Sequence, residues 1–532
     1  MKPLDSSCSK IVLICLAKEY PALLLREAFL LTLLGLFGYW ASVFDARAQA
    51  ERSVFTAVGR GVATTFVTDY QAVGINPANL GFRRSFRDPK FTIGALEGNV
   101  TMFSGTLNRR ELLQTVFTPQ RINLTQQEKQ QAAVRFAGSA FGFNFDVMLA
   151  GVSIYVKKIG GFAFTINDRV NFFSRLNRTT SEIVFLGGNA SYFPFLLLSN
   201  GRVVANQPTL SEEVRQRVIA GFIDEPRAQT YGQLLDGSRF SSNWYRELNL
   251  AYGTKLIDGY QVSLHAGVGL RLLRGLALIN LVAQDGQLIR DQIAMSPTFG
   301  LSFGPAQINN PSFVGLQENV SNFRKVLAAT PVGTGVAFDA GLQMTIKRNF
   351  YLGIAVSNIG SINWTGNAYQ LADARLREIQ GGGINTYNLL VTSSNNLQLA
   401  GERSALEWRG ISNIRQQLPG VLRIGASYEY FRTFHIGIDV ILPATETASN
   451  IEQPIIALGG DYRLNRWIKI STGFNRDGYQ TNKINFPAGI TYTASRRFFE
   501  MGLATRDLIT FFAQPPGGSN LAFSVGFARF KW

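Results

Sequence analysis

Between Gly335 and Lys347 apolar and polar positions alternate without a break. Val336, Phe338, Ala340, Leu342, Met344 and Ile346 fall on one face, and Gly335, Ala337, Asp339, Gly341, Gln343, Thr345 and Lys347 on the other. A strand in a soluble domain is usually about half that long. A strand crossing a bilayer needs about 9–11 residues, apolar toward lipid and small or polar toward a lumen. The same rhythm appears at 91–103, 141–147, 152–156, 162–166 and 248–252, resumes at 262–272, and continues through 350–356, 422–430 and 436–442 to Trp532. The pattern predicts an all-β fold, a transmembrane antiparallel β-barrel of about 14 strands, with roughly 12 to 18 compatible with it.

The connections add topology. Short turns are expected at Asp258-Gly259, Lys347-Arg348-Asn349, Phe431-Arg432-Thr433, Arg463-Leu464-Asn465-Arg466 and Ser495-Arg496-Arg497. They alternate with longer connections at 359–419, 443–453, 476–482 and 506–519. Bacterial barrels have short periplasmic turns and longer extracellular loops, so counting back from Trp532 through the last eight strands places the last four short turns in the periplasm; upstream the count does not close. Residues 260–303 read either as two very long strands or as four short ones. Long loops are expected near 107–135, 199–243 and 359–419, and loops of that length commonly carry function. Thr125-Gln126-Gln127-Glu128 has the capping-box pattern of a helix start, and Ser211-Glu212-Glu213 before Val214 marks another. Gly381-Gly382-Gly383 lies inside the largest connection.

Composition agrees with a barrel: 40 Phe and 52 Gly stand against 17% charged residues. A mean hydropathy of +0.05 is too low for a bundle of transmembrane helices. The apolar block 28–44 leads into Ala46-Arg47-Ala48-Gln49-Ala50, a secretory cleavage pattern. Residues 1–50 are therefore expected to be a signal peptide for Sec-type export to the outer membrane of a Gram-negative cell, with Glu51 opening the mature chain. The long stretch before that block leaves a downstream start codon open. Both cysteines, Cys8 and Cys15, fall in this presequence, which leaves no disulfide framework or thiolate metal site in residues 51–532.

Removing residues 1–50 takes away five basic side chains (Lys2, Lys10, Lys18, Arg26, Arg47) and four acidic ones (Asp5, Glu19, Glu27, Asp45), so the net charge of +16 becomes +15. No clustered basic run with stacking aromatics appears, which excludes nucleic acid. Basic side chains at barrel rims facing phosphate-rich outer-membrane lipid are the expectation. His265 and His435 both fall on polar strand faces. His435 and Asp439 stand about 13–14 Å apart along a strand, too far for a direct acid–base pair. A barrel enzyme would need Ser and acidic partners from neighbouring strands. No metal-binding histidine spacing or nucleophile elbow occurs, and no catalytic residue, metal or cofactor is expected. Gly267-Val268-Gly269 sits inside an alternating strand, where its glycines would admit a bend or another backbone. Aromatics are expected as interfacial girdles.

The terminal run Leu521–Trp532 resembles the outer-membrane assembly signal, with Phe530 and Trp532 as its aromatic end and the barrel assembly machinery as its reader. Its apolar phase shifts near Ala528, which predicts a bulge. At the other end, Val58-Gly59-Arg60-Gly61 through Leu80-Gly81 resembles the opening of the FadL-type barrel superfamily: a glycine-rich start, the acidic Asp69, then Asn76-Pro77-Ala78 and a leucine. Ile362-Asn363-Trp364, a long insert, and Leu418-Pro419-Gly420 give a layout similar to an uncharacterised branch of it. That superfamily includes long-chain fatty acid channels, aromatic hydrocarbon channels and PorV-like secretion barrels. The resemblance implies that 51–90 folds inside the barrel 91–532 as a plug, with Gly59, Gly61, Asp69, Asn76, Pro77 and Ala78 as hatch candidates. It also implies polar or basic lumen residues that accept a carboxylate. Asn-Pro fixes an extended turn and glycines let backbone pack on a wall. Arg60 departs from the pattern, standing where a small residue is usual, and no family ligand-binding residue maps onto this chain.

The expected function is passive uptake of a hydrophobic or amphipathic small molecule. The alternative is a barrel docking secreted proteins or a surface complex through 199–243 and 359–419. A lipid-modifying enzyme would require a histidine to meet a serine and an acid in space.

Overall fold

The computed structural model describes residues 54–83, 88–118, 122–317, 320–389, 406–445, 447, 451, 453–476, 484–494, 498–512 and 519–532. The expected signal peptide and the turn at 495–497 lie outside the described residues, as does nearly all of the connection expected at 476–482.

Fourteen strands form the wall among the described residues. They are β1 (Phe91–Ser104), β2 (Ala140–Val156), β3 (Gly160–Arg175), β4 (Arg239–Asp258), β5 (Val262–Gln284), β6 (Gly333–Ile346) and β7 (Phe350–Trp364), then β8 (Val421–Tyr430), β9 (Phe434–Pro443), β10 (Ile455–Arg463), β11 (Ile468–Arg476), β12 (Ala488–Ala494), β13 (Phe499–Thr505) and β14 (Ser519–Lys531). Each pairs antiparallel with the next. β14 closes the sheet on β1, from Thr92 opposite Lys531 to Ser104 opposite Ser519. Closure removes sheet edges, the condition for strands to cross a membrane.

Along β6 the exposed positions are Thr334, Val336, Phe338, Ala340 and Leu342, while Ala337, Asp339, Gln343 and Thr345 are buried inward. Phe338 is 59% exposed and Val268 on β5 60%. In water such residues would form a costly apolar surface. Around a closed barrel they form the lipid-facing band.

Several strands run longer than their alternation suggests, because local irregularities break the period of two. Residues 141–147 and 152–156 belong to one strand, β2, interrupted by a bulge against β3 between Met148 and Ala150. β7 continues past 359 to Trp364, so the connection expected at 359–419 begins at 365. Its phase breaks at Asn358, a left-handed residue (φ 65°) whose amide donates to Asp339 and whose side chain donates to Pro419 O. The connection expected at 199–243 spans 176–238, since β4 starts at Arg239. Residues 260–303 hold the 23-residue β5 and a return strand, Gln287–Met295. The upper half of β5 thus stands above the membrane band. β14 carries the expected bulge: Glu500 opposes Arg529 while Gly502 opposes Gly526, leaving an extra residue near Ala528.

All the described short turns lie at the end that holds Trp532. Two of them, at 347–348 and 431–432, place both central residues at positive φ, the geometry of a type I′ hairpin that Asn-Gly adopts most cheaply. Lys347-Arg348 and Phe431-Arg432 occupy it at a cost of about 1–2 kcal/mol per residue.

At the other end the long connections fold into a cap. Helix α2 (Arg109–Phe117) is capped by Asn108 with Glu111, and α3 (Gln126–Phe136) by Thr125 with Glu128, a full capping box in each case. With α4 (Arg178–Leu186) they enclose an apolar cluster that includes Leu112, Phe136, Phe185 and Leu376. A four-stranded sheet built from 195–198, 203–205, 218–222 and 378–380 lies in the same cap. The expected helix after Ser211 is one short turn, Glu212–Gln216.

Candidate functional site

Residues 54–82 lie within the barrel and join no β-ladder. They fold as a helical turn α1 (Phe55–Val58) and two 3-10 turns, Asp69–Ala72 and Pro77–Leu80. Asn76 caps the last of these: its Oδ1 accepts Ala78 N at 3.2 Å, and Pro77 takes the first helical position, where no N–H is needed. Asn76 Nδ2 meanwhile donates to Leu342 O of β6 at 3.2 Å. Asn-Pro-Ala is thus a cap turned toward the wall.

The wall receives this segment at glycines. A Cβ on Gly267 would stand 2.2 Å from the Pro77 carbonyl carbon, one on Gly161 2.1 Å from Leu80 O, and one on Gly459 1.8 Å from Arg60 O. Gly341 faces the Asn76 side chain in the same way, and Phe55 fills the space over Gly502 and Gly526. Gly59 itself sits against Gly489, where a Cβ would meet backbone at 2.7 Å, and Gly61 takes φ +76°. Smooth backbone on both sides lets the segment and the strands approach closely.

Side chains tie the segment down. Asp439 Oδ2 on β9 accepts Ala63 N at 2.6 Å, Thr64 N at 2.9 Å and the Thr64 hydroxyl at 3.0 Å. Arg60 pairs with Asp461 on β10 at 2.9 Å. Asp69, at φ 53°, pairs with Arg529 on β14. Tyr70 donates to Glu97 on β1, and Gln71 donates to the same carboxylate at 2.9 Å. Four strands therefore hold one segment by carboxylates and a guanidinium. The hatch candidates Gly59, Gly61, Asp69, Asn76, Pro77 and Ala78 are all in it. Their partners Glu97, Asp439, Asp461 and Arg529 were not singled out as such from the sequence, where each reads as one more inward polar position. A charged residue on an otherwise small-residue face is the signal that marks them.

Further toward the cap, ion pairs line the lumen. Glu247 (β4) lies 3.3 Å from both Arg169 (β3) and Arg271 (β5), and Arg271 reaches Asp339 (β6) at 2.9 Å. All four are buried. On the short-turn side of the segment lies a cavity of about 360 Å³, lined among others by Arg60, Phe66, His435, Asp461, Lys469 and Arg529.

His435 meets a serine in space: its Nε2 is 2.9 Å from Ser427 Oγ, and Asp461 is its cross-strand neighbour. The Ser427 oxygen also receives the Thr65 hydroxyl at 2.7 Å, and the Phe66 ring stacks on the imidazole at 3.7 Å. The Asp461 oxygens take Arg60, Lys469 and Ser471. This trio clamps the lumenal segment through Thr65, Phe66 and Arg60. His265 is buried beside Phe82, ring centroids 5.4 Å apart. Among the described residues no group of His, Cys, Asp and Glu could hold a metal.

A closed antiparallel barrel with an apolar exterior, short turns at the end of its carboxyl terminus and a capped, occupied lumen is an outer-membrane β-barrel. Residues 202–499, more than half of the chain, match the model of a family described as a family of unknown function (DUF5723), and the chain belongs to that family. No curated protein matches it in sequence. Among solved structures it is similar to a deltaS2S3 mutant of the monoaromatic hydrocarbon channel TodX, with 12% identity over 90% of this chain and 99% of that one and a TM-score of 0.43. It is also similar to a FadL homologue from Pseudomonas aeruginosa (11% identity, 91% and 100% covered, TM-score 0.38). A further similarity is to the Pseudomonas putida toluene transporter TodX (11% identity, 91% and 98% covered, TM-score 0.38).

Proposed function

We propose that this protein is a gated channel for passive uptake of hydrophobic or amphipathic small molecules, with residues 54–82 as its movable stop. The observation that carries the reading is the mode of attachment: the segment is held by side-chain hydrogen bonds and ion pairs and by no ladder pairing. It can leave its seat without opening the barrel wall. The solute class is supported by both ends. Ile308 and Val314 stand exposed on the long-loop side, where apolar side chains in water favour apolar ligands. The cavity on the other side is rich in cations, which suits an anionic head group. In this reading Gly59, Gly61, Asp69, Asn76, Pro77 and Ala78 form the hatch, and Phe530 and Trp532 serve recognition by the assembly machinery.

The test is uptake of a labelled long-chain fatty acid and of a small arene into proteoliposomes. Flux above empty vesicles, raised by deleting 54–81, supports the channel. Flux equal to empty vesicles with both solutes and both proteins removes it. A second reading, a barrel that docks a secreted protein, is favoured by Val203 and Ile219, which stand 55% and 47% exposed on the small sheet of the cap. A stoichiometric protein partner on gentle extraction, with no bound lipid, would select it.

A further inference from the structure

Once the topology is known, the excess charge is located. Among the described residues the short-turn end comprises 82–83, 88–90, 157–159, 255–261, 347–349, 431–433, 463–467, 498 and 531–532; these stretches hold eleven basic residues and two acidic ones, Asp88 and Asp258. They supply +9 of the +15 carried by residues 51–532. The described parts of the seven long connections at the opposite end, with several times as many residues, carry a net +3. The protein is therefore electrostatically one-ended.

Turn chemistry does not ask for this. Lys158, Lys347, Arg348 and Arg432 all sit at positive φ, between 48° and 70°, where Gly or Asn would be the easy choice. The turns close by ordinary bonds, Asn349 N to Ile346 O and Thr433 N to Tyr430 O. Cations occupy positions where the backbone favours another residue. Aromatic rings accompany them: Phe431, 80% exposed, precedes Arg432; Arg466 lies over the Trp467 ring at 4.7 Å; Trp532 follows Lys531. Rings of this kind settle at the headgroup level. Arg83, Lys90, Arg432, Arg463, Arg466 and Lys531 border the lumenal cavity, whereas Lys157, Lys158, Lys255, Lys347 and Arg348 are exposed on three separate turns outside it, where they face an annulus of lipid.

We infer that the short-turn rim is a collar for anionic phospholipid headgroups in the adjoining leaflet, a property independent of the channel reading. The full-length protein, taken from vesicles containing equal phosphatidylglycerol and phosphatidylcholine, is released into the gas phase and its retained lipids are weighed. Phosphatidylglycerol should exceed phosphatidylcholine at least about fivefold, what one well-placed cation is worth at an anionic surface. The triple variant Lys158→Asn, Lys347→Asn, Arg348→Gly should lose much of that preference. A cap variant, Arg375→Gln with Arg377→Gln, should keep it. The new turn residues suit the left-handed positions, so folding is favoured; should the triple variant not fold, Lys157→Gln with Lys158→Asn serves the same comparison. Equal retention of both lipids by the native protein overturns the inference, as does a preference that survives removal of the turn cations. Capture of an acidic polypeptide without any lipid preference overturns it too, and assigns the rim to a protein.

Discussion

Arg529, three residues from Trp532, reaches into the lumen to pair with Asp69, while its Nη1 holds Glu500 at 2.6 Å. The last strand of the barrel thus grips the segment that precedes the first. Glu500 is shared in turn with Lys531 at 2.6 Å, so Arg529 keeps one counterion if Asp69 is lost. Asp69→Asn retains a residue that tolerates φ 53° and removes the attraction. We expect the barrel to fold and the lumenal segment to loosen, with the loss of a buried pair member worth about 3 kcal/mol. Protease nicking within 54–82 on intact proteoliposomes should rise, together with solute flux. Unchanged nicking would mean that Asp439 and Glu97 suffice to hold the segment.

Gly267 offers a steric test at the same seat. Gly267→Ala places a methyl 2.2 Å from Pro77 backbone, which must move. Gly98→Ala, on β1, meets nothing within 4 Å. The first should raise flux and nicking while the folded barrel persists, and the second should leave both at the native level. Equal behaviour of the two variants would show that the segment yields without consequence.

The lipid-facing half of this fold was legible because the bilayer imposes one simple demand, an apolar residue at every second position, and Phe338 or Val268 meets it whatever lies around them. Strand ends were less so. Asn358 and the bulge near Met148 reset the phase, and a shift of one residue looks like the end of a strand until its neighbour is known. The capping box at Thr125 was legible because its partners are three residues apart. Asp439 and Ala63, or Glu97 and Tyr70, become partners through the closure of the whole sheet, and no local spacing records that. His435 shows the same limit: its serine and its acid lie on two other strands, and their meeting told less than the side chains already occupying them.

Glu247 is the hinge of the buried ion pairs, facing Arg169 and Arg271 at 3.3 Å each. Arg271 retains Asp339, but Arg169 is left with Asp146 at 3.6 Å. Glu247→Gln should therefore cost about 3–5 kcal/mol, the usual result of removing one member of a buried network. The shift from compact to unfolded mobility on heating in SDS should move to clearly lower temperature. Arg246→Gln, whose partner Asp168 lies outside this network, should not reproduce it in full. A Glu247→Gln protein as heat-resistant as the native one would show that water already compensates these charges.

Lys129 supplies a pH dependence outside the membrane. It is buried on α3 in the cap, where its Nζ donates to Gly382 O at 2.5 Å. Burial pushes its pKa down from 10.5 to about 8. The folded cap therefore releases this proton at lower pH than the unfolded chain. Between about pH 8 and 10.5 the unfolded state binds more protons, so stability rises with pH across that window. Below it both states are protonated and the full cost of the buried charge is present. Resistance of the 381–384 turn to proteolysis should then be greater at pH 9.5 than at pH 7 after correction for protease activity. Lys129→Met, which keeps the aliphatic bulk and removes the charge, should be resistant at both values and flat between them. A native protein with no such rise, or a methionine variant that keeps it, would place the titrating group elsewhere in the cap.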